Sequence, residues 1–346
     1  MARLLLRADA SAAMGTGHVM RDLALVEVLQ ERGHACRFAM AETTAALAAL
    51  LAARGVPLDL LPGPAGGKAD LARTLALAAE ADAVSLDGYH FDAAYRAGLA
   101  ACARPILAWD DGAPAVPLAA TLVVNASSAA RPDDYAARAP GATLLLGPAY
   151  LPLRREIRAL IGTPRPADGH LLLTFGGSDP LSLTAPVLRG LAARLDGRIE
   201  AVLGGSVADP GPALAAAGDH PERIRLHRDT PQIGQLMAGA RLAISAAGGT
   251  LAELAALRTP SLLVAVAANQ RAAAQFSAAH GWCVAVDGEK AGAVARIVET
   301  GLTLWADPPR LAAMSERAAG LVDGQGPYRL ADALKAALSR ASQSFD

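Results

Sequence analysis

Aromatic side chains are scarce, at 4% of 346 residues, so alanine and leucine must fill the core. Excess charge is lacking as well. The formal net charge is −1, and no basic surface of the kind that holds nucleic acid is expected. Cysteine is nearly absent. Cys36, Cys102 and Cys283 form no CxxC pair and lie far apart, which excludes a zinc site and a disulfide framework and suits a reducing cytoplasm. No apolar run reaches the roughly 20 residues of a membrane span. The opening "MARLLLRADAS" meets Arg7 and Asp9 too soon for a signal peptide, so a cytoplasmic chain without membrane insertion is expected.

Several catalytic signatures are missing too. No Gly-Lys-Ser/Thr closes a Walker loop, no G-x-S-x-G marks a nucleophile elbow, and HExxH does not occur. His34, His90, His170, His220, His227 and His280 have no metal-ligand spacing, so neither a metal nor a cofactor is expected.

What the sequence does have is a rhythm. Apolar residues make up 53% and charged residues 19%, the balance of a globular chain with a large core, and the length suggests two domains. Short apolar runs alternate with helical patterns. "ARLLLRA", "ACRFAM", "AVSLD" (83–87), "PILAWD" (105–110) and "TLVVN" (121–125) read as buried strands, with a helix near 18–32 after the first. This is the βαβ pattern of a parallel sheet covered on both faces. The loops after its strands carry Asp87, Asp110 and Asn125, which are expected to meet in one crevice.

The Pro- and Arg-rich stretch "GPAYLPLRREIRALIGTPRPADGH" then reads as a linker. A second series follows: "LLLTF" (171–175), "IEAVLG" (199–204), "IRLH" (224–227), "LAIS" (242–245), "SLLVAV" (261–266) and "CVAVD" (283–287). The expected organisation is an N-terminal Rossmann-like domain over 1–150, a linker over 151–169, a C-terminal Rossmann-like domain over 170–325 and a helix over 326–346. The break "DGQGP" sets off that last helix, and the sequence names no partner for it.

The loop "AAMGTGHVMRDLAL" (12–25) is a poor dinucleotide fingerprint, because Met20 stands where a third glycine belongs. A plain phosphate cradle needs only backbone N–H groups, so His18, next to Gly17, asks for another explanation. At a helix start the dipole disfavours imidazolium, and a neutral imidazole accepts a proton as a general base must. Arg21 and Asp22 follow on the same helical side; Asp22 either orients the ring or pairs with Arg21. In "LDGYHFD", Asp87 ends a strand, and Tyr89 either packs at the core's rim or touches a sugar. The neighbouring "SAAM" and "HFDAAY" offer few side-chain donors.

Two more Gly-rich turns enter helices in the second half. In "LAISAAGGTLAELAAL", Gly248 and Gly249 follow a strand, and Thr250 and Glu253 have the T-x-x-E spacing of a capping box. Either Glu253 only caps the helix, or the loop holds a diphosphate and Glu253 accepts from ribose hydroxyls. "LLLTFGGSDP" repeats the device. Gly176, Gly177 and Ser178 suit a phosphate or sugar contact, while Asp179 and Pro180 read as an N-cap and first helical residue. In "VAVAANQRAAAQF", Asn269 is either an N-cap or a sugar or phosphate ligand, with Gln270 beside it. Together the three glycine turns suggest a nucleotide-linked substrate between two domains.

With these pieces in order, the chain resembles the PseG family, the UDP-2,4-diacetamido-2,4,6-trideoxy-β-L-altropyranose hydrolases of pseudaminic acid biosynthesis and flagellin glycosylation. The matching pieces are "RADASAAMGTGHVMRDLAL", "DGYHFD", "WDDG", "VVNAS", "GPAYLPLRREI", "FGGSDP", "ISAAGGTLAELAALRTPSLLV" and "NQ", in order over about residues 3–290. More distantly, the second half resembles MurG-type transferases.

The resemblance implies an α/β, GT-B-like fold: two Rossmann-like domains with parallel sheets facing across a cleft. It implies a metal-independent hydrolase that removes UDP from a UDP-linked diacetamido sugar by inverting C–O cleavage at the anomeric carbon. His18 is then the catalytic base, and Asn269 lies near the reacting centre. UDP binds mainly the second domain and the sugar faces the first. The candidate substrate contacts are Asp9, Gly17, Arg21 and Tyr89 on the sugar side, and Gly176, Gly177, Ser178, Gly248, Gly249, Thr250, Glu253 and Gln270 on the other.

Two alternatives stay open. A GT-B glycosyltransferase would use the same UDP site, with His18 deprotonating an acceptor hydroxyl instead of water. No amphipathic basic patch for a lipid acceptor stands near the N-terminus. A non-catalytic nucleotide-sugar-binding module would have no need of a histidine in the G-x-G-H loop.

Overall fold

Short, mostly apolar runs suit strands buried on both faces of a parallel sheet. In the computed structural model, which describes residues 1–11, 14–112, 116–166 and 168–343, they build two parallel sheets. Ala12 and Ala13 of "SAAM", Ala167 of the linker stretch and the last three residues of the C-terminal segment lie outside the described residues.

The first unit comprises residues 1–155 and 324–346. Its strands are β1 (Arg3–Ala8), β2 (Ala35–Met40), β3 (Leu58–Leu60), β4 (Ala83–Asp87), β5 (Ile106–Trp109), β6 (Leu122–Asn125) and β7 (Thr143–Leu146). They lie in the order β3-β2-β1-β4-β5-β6-β7. The order turns back between β1 and β4, the place where open α/β sheets gather ligands at their strands' carboxyl ends. Ala8, the last residue of β1, pairs with Asp87, the last of β4. The loop after β1 therefore starts beside the loop after β4.

The second unit, residues 156–323, holds β8 (His170–Thr174), β9 (Ile199–Leu203), β10 (Ile224–Arg228), β11 (Ala240–Ala246), β12 (Ser261–Ala265) and β13 (Cys283–Asp287). Their order, β10-β9-β8-β11-β12-β13, has its own switch point between β8 and β11. The turns "GGS" and "AAGGT" follow those two strands.

The boundary between the units falls after Arg155, and the helix Gly326–Gln343 belongs to the first. The helix Gly17–Glu31 explains why. Its buried residues include Val19, Leu23, Leu25, Val26 and Val28, which wrap most of its circumference. Such a helix needs cover beyond the sheet. Leu330, Ala331, Leu334 and Ala337 join the same core, and Tyr328 donates to Glu31 at 3.0 Å while Arg32 pairs with Asp332 at 2.7 Å. Among the described residues no helix is long and apolar enough to cross a membrane.

Candidate functional site

His18 is the second residue of the helix Gly17–Glu31 and Asp87 is the last of β4. The switch point brings them together. His18 Nδ1 stands 2.7 Å from Asp87 Oδ1, with side-chain exposures of 8% and 0%. Arg21, one turn further along the helix, clamps the same carboxylate: Nε donates to Oδ2 at 2.5 Å and Nη2 to Oδ1 at 2.5 Å. Its Nη1 donates to Asp111 at 2.7 Å, and its guanidinium lies 4.9 Å from the Trp109 ring centroid.

The protonation pattern follows. Burial opposes ionisation of Asp87, but the charge and hydrogen bonds of Arg21, with the bond from His18, outweigh it and hold the carboxyl below the usual carboxylate range. An ionised carboxylate only accepts. His18 Nδ1 therefore carries the proton, and in the neutral ring Nε2 is the acceptor. Arg21 Nη2, 3.2 Å from the same Nδ1, is then a close approach and not a second hydrogen bond. This is the tautomer a general base needs.

Asp22 takes neither role that the spacing offered it. It is fully buried and accepts from Ser85 Oγ and Trp109 Nε1, both at 2.8 Å, while its Oδ2 has no partner. Burial first, and then the negative charge of Asp87, push its pKa up to about 7. Asp87 orients the ring instead.

Tyr89 sits at the mouth of this site, 54% exposed, its ring edge-on to His18 at 4.8 Å between centroids. Its hydroxyl donates to Asp111 at 2.8 Å. His18, Arg21, Asp87, Tyr89, Trp109 and Asp110 share one pocket. Asp110 is held there by Arg138 (2.7 and 3.1 Å) and the Tyr135 hydroxyl (2.7 Å). Of the three strand-end residues expected in one crevice, Asn125 does not line this pocket; it donates to the Tyr135 hydroxyl at 2.8 Å, the same hydroxyl that holds Asp110.

Asp9 is placed inside the first unit and is sealed from solvent. Its Oδ1 accepts from the backbone N–H groups of Ala41 (2.6 Å) and Glu42 (3.0 Å). Its Oδ2 lies 2.7 Å from Arg7 and 2.8 Å from His90 Nε2, close enough to pair but not aligned for hydrogen bonding. A carboxylate so committed ties β1 to β2 and is closed to a sugar, which corrects its reading as a substrate contact.

In the second unit, Gly176 turns the chain after β8 with φ +80°. Gly177 is exposed, and the backbone after β9 passes close beside it: a Cβ on Gly204 would stand 2.2 Å from the Gly177 oxygen. Ser178 is exposed. Asp179 accepts from the N–H groups of Leu183 and Thr184, both at 2.9 Å, and secures a helix that runs Thr184–Ala192. Pro180 therefore precedes the helix and does not open it.

The helix Thr250–Ala256 opens at Thr250 itself, as the sequence reads. Gly249 is the N-cap and no side-chain cap bond forms, so the T-x-x-E spacing does not make a capping box. Thr250 is already helical, and Glu253 is half-buried in the first turn. Gln270 accepts from Val266 N–H at 3.1 Å, and its Nε2 is 3.6 Å from where a Cβ on Gly248 would be. The Gly248 and Asn269 loops therefore adjoin. Asn269 is exposed in the short turn Ala268–Gln270, and Gln270, not Asn269, is the N-cap of the helix Arg271–Ala279. Among the described residues no group of three or more His, Cys, Asp or Glu could hold a metal ion.

Sequence reasoning singled out His18 and the loops but not the contact of Asp87 with His18, nor Asp111 and Trp109 around Arg21. "LDG" and "WDDG" were visible; the adjacency of β1 and β4 that joins them to His18 is a property of strand order.

No family model matches the chain. A curated relative from Acidiphilium cryptum (strain JF-5), the UDP-N-acetylglucosamine–N-acetylmuramyl-(pentapeptide) pyrophosphoryl-undecaprenol N-acetylglucosamine transferase, is 30% identical over 197 residues. That match takes in 54% of this chain and 53% of the relative, about half of each. Among solved structures, MurG of Acinetobacter baumannii superposes with a TM-score of 0.66 at 17% identity, covering 97% of this chain and 99% of that one. HepE of Anabaena, solved in complex with UDP and glucose, gives 0.62 at 16% identity, covering 97% and 100%. These likenesses show the fold, which is the GT-B one with two Rossmann-like parallel sheets.

Proposed function

We propose that the chain is an enzyme of UDP-linked sugars and that it hydrolyses the bond between the anomeric carbon and the diphosphate oxygen, with inversion. The observation that carries this reading is the His18–Asp87 pair, 2.7 Å apart and locked by Arg21. With the proton fixed on Nδ1, Nε2 takes a proton from the attacking water. The Asp87 carboxylate stabilises the imidazolium that forms, as the acid of a catalytic triad does. A base so placed contributes ~10²–10⁴-fold. Holding the water and sugar in line supplies much of the rest.

UDP leaves as an anion. In the second unit the backbone N–H groups around Gly176-Gly177-Ser178 and Gly248-Gly249-Thr250 are the candidates to carry its charge, with Glu253 accepting from the ribose. Gln270 supports the Gly248 turn, and Asn269 offers an uncommitted amide beside it. No step of this route uses a metal. The printed names of the Acidiphilium relative and the Anabaena complex, one with a UDP-sugar and the other with UDP, support the nucleotide. The motif resemblance supports a 2,4-diacetamido-2,4,6-trideoxy sugar, met by Gly17, Arg21 and Tyr89, and with it a place in pseudaminic acid biosynthesis.

The likeness to a transferase favours one other reading, in which His18 deprotonates an acceptor hydroxyl. A single incubation separates the two. With UDP-2,4-diacetamido-2,4,6-trideoxy-β-L-altropyranose and no acceptor, a hydrolase releases UDP and free sugar in equal amounts. Substrate that stays intact until an acceptor is added establishes the transferase.

A further inference from the structure

Trp109 borders the His18 pocket, and the proposed chemistry leaves it unused. It ends β5 and is 3% exposed. The register of β4 and β5, with Leu86 opposite Ala108, brings it level with Asp87. Its indole is tied down by two neighbours. Nε1 stands 2.8 Å from Asp22 Oδ1 and 3.1 Å from Ser85 Oγ. Ser85 donates in turn to Asp22 Oδ1 at 2.8 Å, which leaves its own oxygen free to accept from the indole. One triangle of polar groups thus joins β4, β5 and the helix Gly17–Glu31.

The triangle is costly. Asp22 is sealed from solvent, and its Oδ2 has no partner. A buried carboxyl with an unsatisfied oxygen is a poor source of stability, and apolar side chains would pack here at less cost. Buried polar networks single out one arrangement of a core where apolar groups tolerate several. The arrangement singled out here is the setting of the indole. Arg21 lies against that ring, 4.9 Å from guanidinium carbon to centroid, a distance at which the face of an aromatic ring attracts a cation. The same guanidinium grips both oxygens of Asp87 and reaches Asp111. Arg21 is a long side chain with many rotamers, and a two-pronged grip demands one orientation of its plane.

We propose that Trp109 and Asp22 are positioning residues for the His18 base. Asp22 latches the indole, the indole aligns Arg21, and Arg21 holds the carboxylate that keeps a proton on His18 Nδ1. This rests on the reading of His18 as the base. What the latch needs from Asp22 is an acceptor oxygen, not a charge.

Two readouts test it. The first is the tautomer of His18 in the ligand-free chain, from nitrogen NMR of labelled imidazole rings at a pH where the ring is neutral, with the signal assigned by its loss in His18→Asn. The second is kcat and KM for UDP release from UDP-2,4-diacetamido-2,4,6-trideoxy-β-L-altropyranose. Trp109→Phe keeps an aromatic body and removes the N–H. It should replace the Nδ1–H form by a mixture of tautomers and lower kcat by up to about 10²-fold with KM little changed, the mark of lost alignment. Asp22→Asn keeps an acceptor oxygen and should keep both the tautomer and most of kcat. If Trp109→Phe melts early, Ser85→Ala, Asp22→Leu and Trp109→Phe are combined, which leaves no polar atom of the triangle unpaired, and the combined variant is read in the same way. A single Nδ1–H tautomer or a wild-type kcat in whichever of these folds overturns the proposal, and so does an Asp22→Asn chain as impaired as Trp109→Phe. UDP release by the unaltered chain is measured first. If there is none, the hydrolase reading falls and the tautomer alone decides this inference. If UDP is released and the variants keep the tautomer, this inference falls and the hydrolase stands.

Discussion

Asp87 and His18 are bound through one short contact, 2.7 Å from carboxylate to Nδ1, and the same carboxylate accepts twice from Arg21. Each member of this trio fixes the next. Arg21 keeps Asp87 ionised, Asp87 keeps a proton on Nδ1, and the neutral ring then accepts at Nε2. Roles of this kind are separable by substitution.

His18→Ala should lower kcat by ~10²-fold or more, the typical worth of a positioned base. UDP affinity should change little, because the proposed nucleotide contacts are on the second unit. Single-turnover rates beside a UDP titration measure both. Near-normal turnover in the variant would remove His18 from the chemistry.

Asp87→Asn should be about as damaging as loss of the base. An Asn amide can donate to Nδ1 and so favours the proton on Nε2, the wrong tautomer. It also strips Arg21 of a buried charge partner, which typically costs about 3–5 kcal/mol. A lower melting temperature is therefore expected together with the lower kcat. Full activity in a chain that melts early would reduce Asp87 to a structural role.

Bond cleavage should fall between carbon and oxygen. A histidine base on the sugar side directs water to the anomeric carbon. In heavy-oxygen water the label should appear in the sugar hydroxyl. Label found in UDP would mean attack at phosphorus and would refute the mechanism.

The first sheet shows what the sequence made legible. Inner strands such as "ILAW" at β5 are unbroken apolar runs and announce themselves. Its two edges, β3 and β7, do not. Leu58–Leu60 is three residues long and only half-buried, and Thr143–Leu146 begins exposed, so neither has the signature of a strand covered on both faces. The site divides in the same way. His18 stood out because a histidine in a glycine turn has a chemical meaning by itself. Asp87 gains its meaning only from strand order, which local pattern does not carry. The capping box misled for a related reason: the spacing was correct, but the helix begins at Thr250, leaving glycine as its cap.

Asp22 gives the chain a pH-dependent stability of unusual sign. Burial raises its folded pKa to about 7 from the ordinary 3.8. Between those values the unfolded chain has lost the proton and the folded chain retains it. Stability from this group is thus complete below about pH 4 and is lost as pH rises toward 7. Asp87, with its lowered pKa, works in the opposite direction, present at higher pH and lost on acidification. Asp22→Asn mimics the neutral carboxyl and isolates the first effect. Its melting temperature relative to wild type should climb from pH 4 to pH 7, by at most about 1.4 kcal/mol of stability per pH unit. A constant offset across that range would show that Asp22 is ionised in the folded chain.

Glu253 should bind the ribose of UDP. The helix Thr250–Ala256 begins after two glycines, so no side chain stands between its first turn and a ligand in the Gly248 loop. A diphosphate at that turn puts the adjoining ribose near Glu253, whose carboxylate can accept from two vicinal hydroxyls at once. Such charge-assisted bonds are roughly twice as strong as neutral ones. Capping is the competing role: the cap is Gly249, so Thr250 supplies no cap bond. Thr250→Ala should therefore cost less than the ~1 kcal/mol of a lost N-cap. Glu253→Gln keeps the size of the side chain and removes its charge. UDP affinity should fall about tenfold, the scale of one lost charged hydrogen bond. Titration calorimetry with UDP, run beside a thermal melt of both variants, measures the two effects apart. Unchanged affinity in Glu253→Gln would take the ribose away from Glu253, and a melt lowered equally in both variants would return it to the helix start.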